Sequence, residues 1–405
     1  MTSVRVIEAQ GMNTTPIGSE PLELKAPRRR VMGSVIGHTG FNVARYHTTH
    51  VFGALFPLLT GALFFGWRAV VSVLIVVGTT LLGGLIWRRI GTRGHQMRPA
   101  QLLWLGTVMA MMLPASLLHS SDHSAWPILP IAGLLIVILC WGLGGIGSGR
   151  FHPAVVVFLL LALLYSQQLS PQTLLQRNRM LTGDLLSSPL AVEPRASQFS
   201  WRIRPITQGY DAIRHTPASQ SLLNFTHPAG GSVPVSLDTL LRDRVPPLED
   251  FVLGAVPGSI GVTSAVAVII GGLFLLYRGL IDFRIPLLIV VSAWIALLIL
   301  PIPDQSQWRW FPGHIPGIGW SMGMTLANYQ VLASPLLFTA FFLAGSPNVR
   351  PLTKKGRTFY ALLIGLLAAI FQMYFSVSLG SYLALLLAGL ITPVLDRYLM
   401  SRPLV

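Results

Sequence analysis

The sequence predicts an all-α polytopic membrane protein, with about ten transmembrane helices in two inverted five-helix repeats. Three observations predict it. Apolar residues make up 52% of the 405 residues and charged residues 11%, where a soluble domain carries about 25% charged residues. The mean hydropathy is +0.62. The apolar residues also form ten continuous runs, too long for the alternating strands of a closed barrel, and backbone in lipid must satisfy its own hydrogen bonds, which makes such runs helical. Finally, one long polar segment separates five runs from five. This composition excludes a soluble enzyme, a disordered chain and a coiled coil.

Taken in order, residues 1–50 read as a cytoplasmic N-terminal tail, polar at first and ending its irregular part in Arg28-Arg29-Arg30. No apolar run follows that basic cluster directly, so it does not read as a cleaved signal peptide. Membrane half 1 covers 51–166, with helices expected at 51–67, 69–87, 100–118, 126–146 and 152–166. A span needs roughly 17–25 residues, and 152–166 reaches that with its neighbours. Residues 167–250, rich in Pro, Ser, Gln and Arg, read as an extracytoplasmic linker. Connections of that length usually carry function or act as linkers. Membrane half 2 covers 251–405, with helices expected at 255–277, 285–301, 325–345, 358–376 and 379–396.

The basic residues orient the chain. With the N-terminus inside, 19 of the 29 Lys and Arg fall on inside segments, only Arg68 and Arg309 lie in short outside loops, and the other 8 sit in 167–250. Long loops cross regardless of charge, so those 8 carry no weight. Both termini are therefore expected in the cytoplasm. The net charge of +15 follows from these loops facing anionic lipid and does not imply nucleic acid. The halves also resemble each other: LLTGALFFGWRAVVSVLIVV in the first matches IIGGLFLLYRGLIDFRIPLLIVV in the second. Five crossings per unit turn one copy upside down, the plan of many transport proteins.

Few residues offer chemistry. The fourteen acidic residues all lie outside the centres of the expected spans, so no carboxylate relay of the usual intramembrane kind is present. A cation path lined by backbone carbonyls remains open. The single cysteine, Cys140, excludes disulfides and cysteine-ligated clusters within the chain. His47 and His50 precede the first expected span. His119 and His123 flank Asp122 at metal-like spacing but lack a further nearby ligand, so they read as interfacial polar residues, as do His38 and His152. No metal site is expected. Trp67, Trp87, Trp126 and Trp141 fall at span ends, where an aromatic belt accounts for them. Two Gly-rich stretches remain, GLGGIGSGRFHP at 142–153 and GAVPGSIGVTSA at 254–265. They read either as anion- or phosphate-holding turns before a helix or as close helix packing.

Those stretches, with HVFGALFPLLTGALFFGWRA at 50–69, MLPASLLHSSDHSAWPILPIAG at 112–133, LGAVPGSIGVTSAVAVIIGGLFLLYRGLIDFRIP at 253–286 and PLTKKGR at 351–357, carry a resemblance. The chain resembles the D-type membrane subunit of Rnf electron transport complexes, which is related to the B-type membrane subunit of the sodium-pumping NADH:quinone reductase. The likeness runs from about residue 34 to 400, apart from most of the linker.

The resemblance implies ten helices in two inverted halves, residence in a bacterial inner (plasma) membrane, and other membrane subunits as partners. It also implies a flavin mononucleotide (FMN) joined through its phosphate to a threonine of the extracytoplasmic segment. Thr216 in YDAIRHTPASQSLL is the matching position, but Ile213, Arg214 and His215 replace the family's small Ser-Gly-Ala, and the spacing from Asp211 is one residue shorter. An unmodified loop threonine is thus the competing reading. Val262, Ser346 and Leu379 stand where the family has acidic residues. For a second, non-covalent flavin, Gly144, Gly145, Gly147, Gly149 and Pro153 would shape one half-site and Gly258, Ser259, Gly261 and Thr263 the other.

The expected function is a membrane subunit of an Rnf/Nqr-like ion-coupled electron transport complex. The alternatives are a channel or carrier for a small neutral solute or cofactor, and a non-redox scaffold subunit.

Overall fold

The computed structural model describes residues 43–90, 98–118, 125–142, 151–165, 169, 248–254, 258–304, 307–309 and 320–399. The first unit comprises α1 (Val43–Phe65), α2 (Trp67–Ile90), α3 (Pro99–Met112) with a 3-10 turn (Ala115–Leu118), α4 (Ile128–Gly142) and α5 (Pro153–Leu164). The second comprises α6 (Leu248–Leu253), α7 (Ala265–Tyr277), α8 (Arg284–Ile299), α9 (Trp320–Ala333), α10 (Leu336–Phe338) running into a π turn (Thr339–Leu343), α11 (Lys354–Tyr374) and α12 (Val377–Leu399). A small antiparallel hairpin, β1 (Ile302–Asp304) with β2 (Gln307–Arg309), follows α8.

The protein is an all-helical membrane protein. Four helices, α1, α2, α11 and α12, are long and apolar enough to cross a bilayer among the described residues. The bent pair Gly323–Ala333 and Leu336–Leu343 makes a fifth, and α3, α4, α5, α7 and α8 are shorter apolar helices. Large apolar side chains on the outside of the bundle, such as Leu59, Leu63, Leu74 and Leu163, form the surface that a lipid phase covers.

Local chemistry sets the helix ends. Pro99 and Pro153 open α3 and α5, where a missing N–H costs nothing. Ser264 Oγ accepts from Ala267 N at 3.2 Å and Thr353 Oγ1 from Gly356 N at 3.0 Å, each satisfying a first-turn donor. Inside α1 and α2, Thr49 and Thr80 return their hydroxyls to the carbonyls of Arg45 and Val76, which lets polar residues sit in apolar surroundings. After α7 the chain turns through Gly279 at φ +69°, with Gly279 N bonding Leu276 O and Leu280 N bonding Leu275 O. This Schellman end needs a left-handed residue. Gly66, at φ +71°, ends α1 in the corresponding place.

The two units pack by one scheme. In the first, α2 lies on α3 and α4, α1 on α3, and both α3 and α4 on α5. In the second, α8 lies on the α9–π-turn segment and α11, α7 on α10 and the π turn, and α11 on α12. Matching glycines seat matching crossings. A Cβ on Gly133 of α4 would strike Thr79 Oγ1 and stand 2.8 Å from Val76 O of α2. A Cβ on Gly365 of α11 would strike Ser292 Oγ and stand 2.5 Å from Ile289 O of α8. Between the units, α1 crosses α7 where Gly53 meets Gly271, so closely that a Cβ on Gly271 would strike the Gly53 carbonyl.

Four expected spans differ in detail. The first helix starts at Val43, not near 51, so part of the expected tail is helical. Residues 100–118 are interrupted at Leu113–Pro114. The expected helix 255–277 contains an irregular stretch before α7 begins at Ala265. Residues 325–345 bend by 60° at Ser334–Pro335. Proline cannot donate the N–H that a continuous helix needs there. The expected linker 167–250 lies outside the described residues except for Leu169 and the start of α6.

Candidate functional site

The third helix of each unit is broken by proline, Pro114 in the first and Pro335 in the second. The two breaks are closed differently. At the end of α3, the carbonyls of Met111 and Leu113 accept hydrogen bonds from Gly261 N (3.0 Å) and Ile260 N (3.1 Å). The irregular stretch before α7 therefore caps a broken helix of the opposite unit. It fits only because it is narrow: a Cβ on Gly261 would stand 2.6 Å from the Met111 side chain, and one on Gly61 of α1 would strike Ile260 O. Val262 N bonds Ser259 O at 3.2 Å, and the Thr263 hydroxyl donates to Ser259 O at 2.7 Å. Gly254, at φ +99°, lets the chain pass Ser264 closely.

At the second break, Ser334 Oγ donates to Val331 O and receives Leu336 N. Nearby in sequence, Gln330 is buried with neither amide atom partnered among the described residues, and the Thr339 hydroxyl is buried in the same condition. A buried amide without partners is costly, so the second break carries unmet hydrogen-bonding capacity that the first does not.

A second polar cluster lies at the other end of α1. Tyr46, His47 and His50 are buried on α1, and His152 is buried at the N-cap of α5. His50 Nδ1 pairs with Tyr46 O at 2.9 Å. The rings continue inward: Tyr46–His50 at 4.2 Å, His50–Trp104 at 5.1 Å, Trp104–Phe342 at 6.4 Å and Phe338–Phe342 stacked at 5.6 Å. Arg350, in the turn after the π segment, stands close enough to Tyr46 and His50 to act on them electrostatically. Burial lowers its pKa below the usual guanidinium value, opposed by nearby Tyr46 and Asp282. Asp282 itself pairs with Arg357 at 3.3 Å. His152, expected as an interfacial polar residue, is buried at the N-cap of α5.

The sequence-predicted site residues divide accordingly. Gly261 lies with Ile260 against the α3 break, Ser259 and Thr263 are bonded to each other beside it, and Gly258 is their neighbour in sequence. Pro153 is the first residue of α5, beside buried His152. Gly144, Gly145, Gly147, Gly149 and Thr216 lie outside the described residues, as do His38, His119 and His123. Sequence reasoning missed the Tyr46–His50–Arg350 grouping, whose only signal was the His-x-x-His spacing from His47 to His50. Ser346, at a position where an acidic residue was expected from the resemblance, accepts Val349 N and Arg350 N at its carbonyl and so shapes the turn that presents Arg350. Gly380, beside Leu379, lets α12 approach α11, since a Cβ there would stand 2.9 Å from Gln372 N. No group of three or more metal-binding side chains forms among the described residues.

Two helical units of one packing scheme, each with a broken third helix, define a repeat-built membrane protein. The chain belongs to the NQR2, RnfD, RnfE family, whose profile matches residues 31–404. It is 25% identical over 348 residues to the D-type subunit of the ion-translocating oxidoreductase complex of Halorhodospira halophila, covering 84% of this chain and 86% of that protein. It is 26% identical over 374 residues to the same-named subunit of Haemophilus ducreyi, covering 90% and 96%. With the D-type subunit of the Na(+)-translocating ferredoxin:NAD(+) oxidoreductase complex of Acetobacterium woodii it shares 28% identity over 172 residues, covering 42% and 44%.

Proposed function

We propose that this chain is a D-type membrane subunit of an Rnf/Nqr-like ion-coupled electron transport complex, working with other membrane subunits in a bacterial inner membrane. The observation that carries the reading is the family match from residue 31 to 404, which runs through both helical units. The proposed orientation puts both termini in the cytoplasm and 167–250 on the opposite side. It rests on the distribution of Lys and Arg.

FMN belongs to the proposal as well. A flavin supplies one- and two-electron chemistry when bound, and the protein sets its place and environment. Within 258–263, the N–H groups of Ile260, Gly261 and Val262 already bond protein carbonyls and so are not open to a phosphate. Gly261 acts through shape, closing the α3 break, while Gly258, Ser259 and Thr263 stay in the proposed second half-site. Gly144, Gly145, Gly147, Gly149 and Pro153 remain the proposed half-site for a flavin's phosphate or ring edge, and Thr216 the proposed covalent position. Purified protein run on a denaturing gel tests this directly. In-gel flavin fluorescence that disappears in Thr216→Ala supports attachment there; fluorescence that persists in Thr216→Ala removes that site.

One observation favours a second reading, a channel or carrier for a small neutral solute. It is the break at Ser334–Pro335 with the unpartnered amide of Gln330 beside it. Solute flux through flavin-free protein in liposomes separates the two readings.

A further inference from the structure

We propose that Arg350, Tyr46, His47 and His152 form a binding site for a phosphate-bearing anion at the end of the bundle where α1 and α5 begin. Charge balance provides the first argument. Charged groups of both signs meet around the turn before α11: Arg350, Arg357 and Asp282, with Asp396 of α12 buried against the same turn. Both carboxylates are engaged: Asp282 Oδ2 accepts from Arg357 Nη1 at 3.3 Å and its Oδ1 from Arg284 N at 3.3 Å, while Asp396 Oδ1 accepts from Leu352 N at 2.9 Å. Arg350 is half-buried and makes no ion pair among the described residues, and Asp282 acts on it only electrostatically. A guanidinium withdrawn from water is tolerated only when it is paired and hydrogen-bonded.

Hydrogen-bond supply provides the second. Tyr46 Oη, His47 Nδ1 and His152 Nδ1 are each buried and without a partner among the described residues. They come from two helices, and all lie in one neighbourhood. Tyr46 and His47 rings are 5.2 Å apart, His47 acts electrostatically on His152, and Tyr46 does so on Arg350. Native structures rarely leave so many buried polar atoms unmet in one place. One hydroxyl and two imidazoles, whose Nδ1 atoms donate in the Nδ1–H tautomer, make with the guanidinium a donor set for a tetrahedral oxyanion, since Arg matches phosphate geometry through its planar fork.

The anion has two sources of the same chemistry. One is the headgroup of an acidic phospholipid, for which basic pockets between helices are suited. The other is free phosphate or a soluble phosphate ester.

The test uses the full-length protein in nanodiscs of pure phosphatidylcholine and in nanodiscs containing phosphatidylglycerol, with and without inorganic phosphate. Thermal unfolding is followed for the wild type, Arg350→Gln, Tyr46→Phe and the surface control Arg397→Gln. Stabilisation of the wild type by added phosphate in phosphatidylcholine assigns the site to a free anion. Stabilisation by phosphatidylglycerol alone assigns it to a lipid. In either case, apparent affinity should fall about tenfold or more in Arg350→Gln and several-fold in Tyr46→Phe, from the worth of hydrogen bonds to charged groups. Arg397→Gln should be unchanged. Tyr46→Phe removes one hydroxyl and keeps the ring, so it remains informative should Arg350→Gln fail to fold. Equal responses in the wild type and Tyr46→Phe, or no response in the wild type, overturn the site.

Discussion

Replacing Gly133 by Ala should pry α4 from α2, and the structure sets the size of the effect. The added methyl would strike Thr79 Oγ1 and stand 2.8 Å from Val76 O and 3.0 Å from Thr80 N. The hydroxyl could turn away, but the other two atoms are helix backbone and cannot. Restoring van der Waals contact requires a separation of roughly 0.5–1 Å, which forfeits a quarter to a half of the dispersion attraction of each opened contact. The expected cost is about 2–3 kcal/mol, at the upper end of ordinary overpacking.

Cys140 makes a built-in reporter. It is the only cysteine, it is buried, and it lies seven residues along the same face of α4 as Gly133. A thiol-reactive fluorogenic dye should therefore label Gly133→Ala at a lower temperature than wild type. Adding Thr79→Ala should recover only part of the loss, because the backbone obstacles remain. Gly78→Ala is the control. No atom lies within 4 Å of its added methyl, and Ala is the better helix former by about 1 kcal/mol. Should Gly133→Ala melt and label like Gly78→Ala, the argument that glycine sets this crossing is refuted.

Other expectations follow the same reasoning. Gly365→Ala should destabilise about as much as Gly133→Ala, because it fills the equivalent crossing in the second unit; a clearly smaller effect in parallel melts would contradict the repeat. Gly66→Ala and Gly279→Ala should each cost about 1–2 kcal/mol despite open space around them, because their φ values of +71° and +69° are left-handed. Arg357→Gln should cost no more than about 1 kcal/mol, the ceiling for a partly exposed ion pair, when melting is compared with wild type. A cysteine or tag placed between residues 167 and 250 should react from the side opposite the two termini in sealed vesicles. Reaction from the same side would break the proposed topology.

The helical, membrane-embedded character was legible because lipid forces apolar runs into helices, and composition alone reveals such runs. Each expected run does contain helix. The breaks were not legible in the same way. Hydropathy reads Leu113–Pro114 and Ser334–Pro335 as parts of continuous apolar segments, although Pro114 stood in MLPAS and Pro335 in ASPLLF as direct signals. The early start of α1 was hidden by Tyr46, His47, Thr48, Thr49 and His50. These residues look like tail on a polarity scale, yet they sit against other helices. The hairpin at 302–309 is too short to leave a periodic signature. At the site, the glycines of 254–264 were recognised as special, but whether their N–H groups were free depended on carbonyls about 150 residues away in Met111 and Leu113. No local pattern reports that. The grouping of Arg350 with Tyr46 likewise needs the fold, since it joins the first described helix to the turn before α11.

The seam between the halves constrains how the protein can work. Backbone touches backbone where Gly53 meets Gly271, and again where Gly61 meets Ile260, while Ile260 and Gly261 are bonded to the end of α3. Sliding one half against the other would have to tear these stitches. Rocking of the kind used by alternating-access carriers is therefore mechanically disfavoured. The molecule is better suited to serve as a stiff chassis, on which neighbouring subunits keep fixed spacing while any moving part is small and local.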